Sequence, residues 1–197
     1  MSDVNSLDTP HYTTHRADLA GYATVLWAIF GFLAFMLYAI FKLALISIEA
    51  LDYDIDALHL FVFLANLAFM GYSEGYRGFQ LAFSPRFAAR ARYLATSRPN
   101  LSKSLLAPLF CMCFFDAPKR RLVSIWLLTL MIISFVILFR YIPHPWRGIL
   151  DAGVVFGLSW GLLATLYCLY QAFSDKHYSV DPELAENSST EHKTAPH

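Results

Sequence analysis

This sequence contains four apolar stretches, each long enough to cross a bilayer as a helix. They occupy residues 19–41, 57–83, 122–139 and 149–173. The first holds about 23 residues without a charge, and at about 1.5 Å per residue it covers a hydrocarbon core of about 30 Å. The chain of 197 residues is 57% hydrophobic and 15% charged, with a mean hydropathy of +0.45, which is too apolar for a typical soluble domain. The sequence therefore predicts an all-α integral membrane protein with four transmembrane helices, arranged as two helical hairpins.

The positive charges are concentrated in one part of the chain. Nine of the fifteen Lys and Arg residues lie between Arg77 and Arg121. Because this cluster lies between apolar stretches, retention on the inner side of a membrane explains it better than nucleic-acid binding. The acidic connection before the second stretch contains no Lys or Arg, which favours the outer side. We therefore expect the protein to lie in an inner (plasma) membrane, with both termini in the cytoplasm. The basic loop at 84–121 should also be cytoplasmic and in contact with anionic lipid.

The two ends of the chain are polar. Residues 1–18 show no apolar period and lack the basic region and cleavage site of a signal peptide, so they predict a flexible tail before a retained span. Residues 174–197 are polar and poor in aromatic side chains, which predicts a disordered tail. His11 and His15 lie four residues apart, and without a further ligand they indicate a solvated tail and not a metal site. The transmembrane domain is thus expected at 19–173.

The basic loop contains two features of its own. Ser84 followed by Pro85 predicts a helix start, and the residues after it predict an amphipathic interfacial helix lying on the membrane surface with its arginines toward the lipid headgroups. The apolar segment 105–115 is too short to cross a bilayer and contains Pro108. It predicts a short segment that is interfacial, re-entrant, or packed against the bundle.

The second apolar stretch contains polar side chains that recur with a helical period. At about 100° per residue they form one stripe, with Glu74 beside it. The polar candidates are Asn66, Ser73, Glu74, Arg77 and Gln80. Glu74 and Arg77 lie near the inner boundary, where they suit either an interfacial ion pair or a polar pocket. Asn66 is deeper, which suits an interhelical hydrogen bond or a path for substrate or water.

Small residues form two further stripes. One lies on the second stretch and the other, with glycines spaced by four, on the last stretch. Small residues at this spacing let two helix backbones approach closely. The predicted packing residues are Ala68, Gly71, Gly75, Gly78, Gly153, Gly157 and Gly161. The sequence leaves open whether the stripes pack on each other within one chain or on another copy.

The remaining candidate sites carry weak chemical signals. Three cysteines give no disulfide framework, and the Cys111-Met112-Cys113 run suits inert packing, a soft metal or acylation. His144, Arg147 and Asp151 gather in the last outer turn, but the chain has no HExxH, GxSxG or phosphate-loop motif. We therefore predict no catalytic residue, no metal and no cofactor, and the sequence favours a non-enzymatic protein.

These observations lead to two functional hypotheses. The first is a helix-packing component of a homo-oligomer or of a larger membrane assembly, whose partners are other helices and lipid. The alternative is a small transporter or channel that uses the polar face of the second stretch. Nucleic acid is not expected as a partner.

Overall fold

The computed structural model describes residues 19–96, 101–175, 178 and 180–184, and these contain helices and loops but no β-strand. The first tail, with His11 and His15, lies outside the described residues, and so does most of the second tail. Four helices of the described part are long and apolar enough to span a membrane. The prediction of an all-helical chain with four candidate spans is therefore confirmed at this level.

The helices follow one another with short connections. In chain order they are α1 (Leu19–Glu49), α2 (Ala57–Met70), α3 (Ser84–Thr96), α4 (Leu101–Leu105), α5 (Ala107–Cys111), α6 (Lys119–Phe139) and α7 (Trp146–Ser174). A 3₁₀ turn (Ala50–Asp52) ends α1, and a π-helical segment (Gly71–Phe83) joins α2 to α3 without a break. Residues Ala57–Thr96 therefore form one continuous helix, called the second long helix below.

The buried core lies at the end of the bundle where α3 and α5 meet α1 and α7. Phe32 of α1 stacks against Phe83 and Phe87, with ring centroids 5.4 and 4.6 Å apart. Such aromatic pairs add to the stabilisation that burial of their apolar area provides. Elsewhere the helices expose many large apolar side chains, as a lipid-facing surface does.

An α-helical segment does begin at Ser84, as predicted, but the predicted N-cap and break in the helix at this residue are wrong. Ser84 has helical backbone angles (φ −60°, ψ −42°), and its N–H donates to the carbonyl of Phe79 in the π-helical pattern. The wider π turn lets Pro85, which lacks an N–H, follow within the helix. The chain thus passes from the second candidate span into α3 without a corner.

The prediction that α3 lies on a surface with its arginines outward is also wrong. Phe87, Ala91 and Leu94 are fully buried, and Arg90 is fully buried with them. α3 packs against α1 and α7, so it belongs to the core. The short apolar segment packs against the bundle as well, because Phe110 and Cys111 of α5 are completely buried.

In contrast, α6 stands apart from the bundle. None of its 21 residues is buried, and it makes no extended contact with another helix in the described part of the chain. Its connections lie at its first turns: Arg121 bonds to Glu183, and Trp126 meets the ring of Phe114 edge-on at 5.5 Å. The compact bundle therefore consists of α1, the second long helix, α5 and α7.

Candidate functional site

The second long helix and α7 interlock through their glycines. An added Cβ at Gly75 would lie 2.9 Å from the Cβ of Trp160, and one at Gly71 would lie 2.6 Å from the ring of Phe156. In the other direction, side chains of the second long helix lie over the glycines of α7: Asn66 over Gly153, Glu74 over Gly157 and Phe79 over Gly161. The two glycine stripes thus face each other within one chain.

Two members of the predicted small-residue stripe, Ala68 and Gly78, do not contribute to this contact with α7. Ala68 is exposed and lines an open apolar groove of about 340 Å³, together with Gly71 and Phe156. Gly78 is exposed, and the nearest atom to its added Cβ belongs to its own helix, the carbonyl oxygen of Ser73 at 3.3 Å. The close approach is therefore confined to the glycines that face α7.

Asn66 bonds to the backbone of the neighbouring helix. Its side-chain amide donates to the carbonyl oxygens of Ile149 at 2.9 Å and Leu150 at 3.2 Å, in the first turns of α7. These contacts occupy both N–H groups of the amide. Asn66 thus ties the second long helix to α7 at a point of close approach to Gly153.

The other four polar candidates do not converge on one site. The Ser73 hydroxyl donates to the carbonyl of Phe69 in its own helix, and Gln80 accepts from the indole N–H of Trp160 at 2.9 Å. Arg77 is exposed and is not paired with Glu74. Glu74 lies against Gly157, and no described residue donates a hydrogen bond to its carboxylate.

The π-helical segment explains why the predicted stripe is not continuous. Over Gly71–Phe83 the backbone bonds run from residue i to i−5, so each turn holds more residues than the 3.6 of an α-helix. A projection at 100° per residue therefore fails from Gly71 onward. Asn66 precedes this segment and bonds to α7. Within the segment, Ser73 bonds to its own helix, Arg77 is exposed, and Gln80 bonds to the Trp160 indole of α7.

A buried pair of hydroxyl groups joins α3 to α7. Ser84 and Thr165 are both fully buried, with their oxygens 2.8 Å apart. The Thr165 hydroxyl donates to the carbonyl of Gly161, so the Ser84 hydroxyl is the donor in the pair. Sequence reasoning missed this pair because Ser84 was assigned to a helix start.

We expect the Ser84–Thr165 hydrogen bond to be worth about 1 kcal/mol. Ser84→Ala and Thr165→Val should each lower the free energy of unfolding, and the double variant should lose about 1 kcal/mol less than the sum of the two. Thermal unfolding of the four proteins in one detergent measures this coupling. Additive losses would show that the two hydroxyls do not interact.

Arg90 is the most highly connected side chain of the molecule among the described residues. Its three nitrogens donate to five backbone carbonyls, at 2.8 to 3.2 Å. The acceptors are Phe110, Phe115, Asp116, Pro182 and Glu183. A guanidinium carries five N–H donors, so every donor of this buried charge is used. The cation also lies 4.8 Å from the ring centroid of Phe110, where a cation–π attraction acts.

Glu183 extends this arrangement on the side that faces solvent. Its carboxylate accepts from Arg86 at 2.9 Å and from two nitrogens of Arg121 at 2.9 and 3.1 Å. Leu184 is buried in the core, and Tyr178 donates to the carbonyl of Pro85. This part of the second tail differs from the predicted disorder, because these contacts hold its backbone and side chains in place. The arginines that hold it were expected to face lipid.

The bonds from the two arginines set the charge state of Glu183. Burial raises its pKa, but the hydrogen bonds from Arg121 and Arg86 outweigh this and hold the pKa below its ordinary value of 4.5. A carboxyl with a lowered pKa stabilises the folded state above its ordinary pKa, and this contribution is lost as the pH falls through the folded value.

We therefore expect the wild type to melt at a higher temperature than Glu183→Gln at pH 7. The difference between the two melting temperatures should shrink as the pH falls below about 4.5, since protonated glutamic acid resembles glutamine. Melting curves of both proteins from pH 7 to pH 3.5 measure it. A difference that stays constant over this range would contradict the assigned ion pairs.

The three cysteines lie in the interior. Burial raises the pKa of Cys111, with a smaller opposing effect from Arg90, and burial raises the pKa of Cys113 as well. These two thiols are therefore protonated and poorly reactive at neutral pH. In the described part of the chain, no group of three His, Cys, Asp or Glu residues is placed to hold a metal ion.

At the opposite end of the bundle, polar groups surround the start of α7. Asp56 caps α2 by accepting from the backbone N–H of His59, and this bond is the main cause that lowers its pKa. Arg147 and Asp151 approach to 3.7 Å, at the predicted i, i+4 spacing. His144 stacks on Tyr53 with ring centroids 5.4 Å apart. These contacts link the connection between α1 and α2 to the residues around the start of α7.

Sequence reasoning missed Arg90 and Glu183, although one signal for Arg90 was present. Arg90 lies among Ala88, Ala89 and Ala91, and a run of alanines around an arginine is typical of a helix that packs closely on its neighbours.

Comparison of the chain with protein families, with curated proteins and with solved structures finds no match.

Proposed function

We propose that the chain is a multi-pass membrane protein that forms a homodimer, in which α6 packs against α6 of a second copy. In this proposal the bundle is a scaffold without enzymatic activity, and the assembly is its function. The observation that carries the proposal is that none of the 21 residues of α6 is buried, although the other candidate spans pack on one another.

The chemistry of α6 supports a helix as its partner. Between Leu122 and Phe139 it carries no charge, and its apolar side chains are exposed all round the helix. Its hydroxyl groups, on Ser124, Thr129 and Ser134, each donate to a carbonyl of their own helix. Association through α6 therefore depends on the shape of apolar side chains and the van der Waals contact between them. A two-fold interface, which repeats one surface on both copies, is the commonest arrangement in oligomers.

The interior contacts support a scaffold role for the bundle. Asn66 and Gln80 use their amide groups on α7, and the groove beside Gly71 is lined almost wholly by apolar atoms. These polar groups therefore stabilise the contact between helices, which is the part they play in the proposed scaffold.

An exchange of α6 tests the proposed function. Residues 123–138 would be replaced by an alternating leucine and alanine sequence, which keeps the length and apolar character but removes the shape of the surface. The wild type is expected to have the mass of two 22.4 kDa chains in mild detergent, and the exchanged protein the mass of one. A matched exchange of exposed residues on α7, Leu163→Ala with Tyr167→Ala, should leave the dimer intact. A monomeric wild type in both detergent and membranes would refute the proposal.

One observation favours a second candidate, a transporter. Glu74 lies in the π-helical segment against Gly157, and no described residue donates a hydrogen bond to it. Ionisable groups within membrane helices, and π-helical turns, are often found at functional sites. For this candidate, Glu74→Gln should abolish proton-coupled flux in liposomes without changing expression or oligomeric state. A variant that only loses stability would exclude the transporter.

A further inference from the structure

The last described segment, Val180–Leu184, is hydrogen-bonded by three arginines, Arg86, Arg90 and Arg121. We propose that Arg86, Arg90 and Arg121 form a peptide-binding site for an acidic segment of the Asp-Pro-Glu-Leu type, which the chain's own residues 181–184 occupy and which a similar segment of a partner protein can take when they leave. Arg121 lies in the first turn of α6, but the site uses none of the apolar residues 122–139 that are proposed to form the dimer, so the two proposals are tested separately.

The site recognises both the backbone and the side chains of the segment. Arg90 donates to the carbonyl oxygens of Pro182 at 2.8 Å and Glu183 at 2.9 Å, and these contacts suit any peptide with the same backbone course. Specificity comes from the Glu183 carboxylate, which bridges Arg86 and Arg121 in a forked geometry. Leu184, which is only 9% exposed, supplies an apolar anchor next to this charge.

The charge at the site favours an acidic occupant. Among the described residues, Glu183 supplies the one carboxylate that is hydrogen-bonded to these three guanidinium groups, since Arg90 bonds to carbonyl oxygens. The nearby Lys103 is already paired with Asp116 at 2.5 Å. Recognition of acidic motifs by arginine clusters is a recurring mode of peptide binding.

The segment is attached in a way that permits its exchange. Val180 and Asp181 are exposed, and the segment forms no helix or strand. Glu183 has a left-handed backbone (φ 49°), a conformation that costs a non-glycine residue free energy and is held here by the surrounding contacts. About a third of the Glu183 side chain is exposed, so a competing carboxylate can reach both arginines from solvent.

The short connection to α7 explains why the chain's own segment occupies the site. Only five residues separate Ser174 from Val180. A tether of this length gives the segment a high effective concentration at the site, so free peptide competes poorly with it. Weakening the tethered segment should therefore expose a site that binds the same sequence added in solution.

The test uses full-length protein in nanodiscs of zwitterionic lipid and a fluorescent, C-terminally amidated peptide of residues 178–184. In the Glu183→Lys protein, repulsion from Arg86 and Arg121 should release the tethered segment. This protein is expected to bind the peptide at least about 100-fold more tightly than the wild type does. A scrambled peptide of the same composition should not bind. Leu184→Asp provides a second way to release the segment if Glu183→Lys does not fold.

Three results would overturn the proposal. One is the absence of peptide binding to a folded, monodisperse released variant. Another is equal binding of the native and scrambled peptides, which would indicate charge attraction alone. The third is loss of peptide binding in nanodiscs that contain phosphatidylserine, which would assign the arginines to lipid headgroups. Adding Arg121→Gln to the released variant should weaken peptide binding at least tenfold, because the two hydrogen bonds from Arg121 to the glutamate carboxylate are lost.

Discussion

Arg90→Met is expected to destabilise the protein by about 5 kcal/mol, which is close to the whole stability of many folded domains. Methionine nearly fills the space of arginine but donates no hydrogen bond. Five carbonyl groups from two separate segments would then lose their donor in the interior. Removal of a buried charge relieves its desolvation cost, but the loss of five bonds outweighs this because every donor of Arg90 is satisfied.

The loss of stability of Arg90→Met is measured as a fall in melting temperature of about 10 to 20 °C in detergent, or as failure to obtain monodisperse protein. Arg90→Lys should give an intermediate result, since an ammonium group offers three donors. Arg77→Met is the matched control, because Arg77 is exposed and has no partner in the described part of the chain. An Arg90→Met protein that melts within about 3 °C of the wild type would contradict the assigned role of Arg90.

The second large effect is expected at the glycine contact between the second long helix and α7. Gly75→Leu places its Cβ 2.9 Å from the Cβ of Trp160, which is fixed by the backbone of α7 and cannot rotate away. The two helices must therefore separate, and we expect a loss of about 3 kcal/mol. The separation should also break the hydrogen bond between Gln80 and the Trp160 indole.

Gly78→Leu is the control for this prediction, because Gly78 lies on the same π-helical segment but is exposed and does not face α7. Melting temperature reports stability. In a protein whose other tryptophans (Trp27, Trp126 and Trp146) are replaced by phenylalanine, the emission maximum reports the surroundings of Trp160 in α7. Gly75→Leu should lower the melting temperature and shift the emission maximum. Equal effects at the two glycines would show that the leucine acts through local helix geometry and not through the contact with α7.

The candidate spans could be predicted because they depend on a local property. A long run of apolar residues without charge favours a helix wherever it lies, and Lys42 does not interrupt α1 because no helix breaker accompanies it. The glycine stripes could also be located from their spacing. Which surfaces they meet depends on the packing of the whole bundle, so the sequence left that choice open.

The positions of the polar side chains could not be predicted in the same way. The sorting of side chains into stripes assumed an α-helical period, and the π-helical segment from Gly71 to Phe83 changes that period. The amphipathic pattern of the residues after Pro85 predicts a surface position for Arg90, whereas the structure buries this charge, which carries a desolvation cost. The carbonyls that offset the cost come from the loop after α5 and from the segment near Glu183, which are distant in sequence and are brought together only by the fold.

Cysteine cross-linking along α6 in membranes tests the proposed dimer most directly. Single substitutions at Leu130, Met131, Ile132 and Ile133 sample the full circumference, since successive residues are about 100° apart. If α6 packs on α6, one or two of the four positions should form disulfide-linked dimers on mild oxidation, while Leu163→Cys on the exposed face of α7 should not. Absence of dimers at all four positions, with each cysteine still reactive toward a membrane-permeant maleimide, would contradict the proposed dimer.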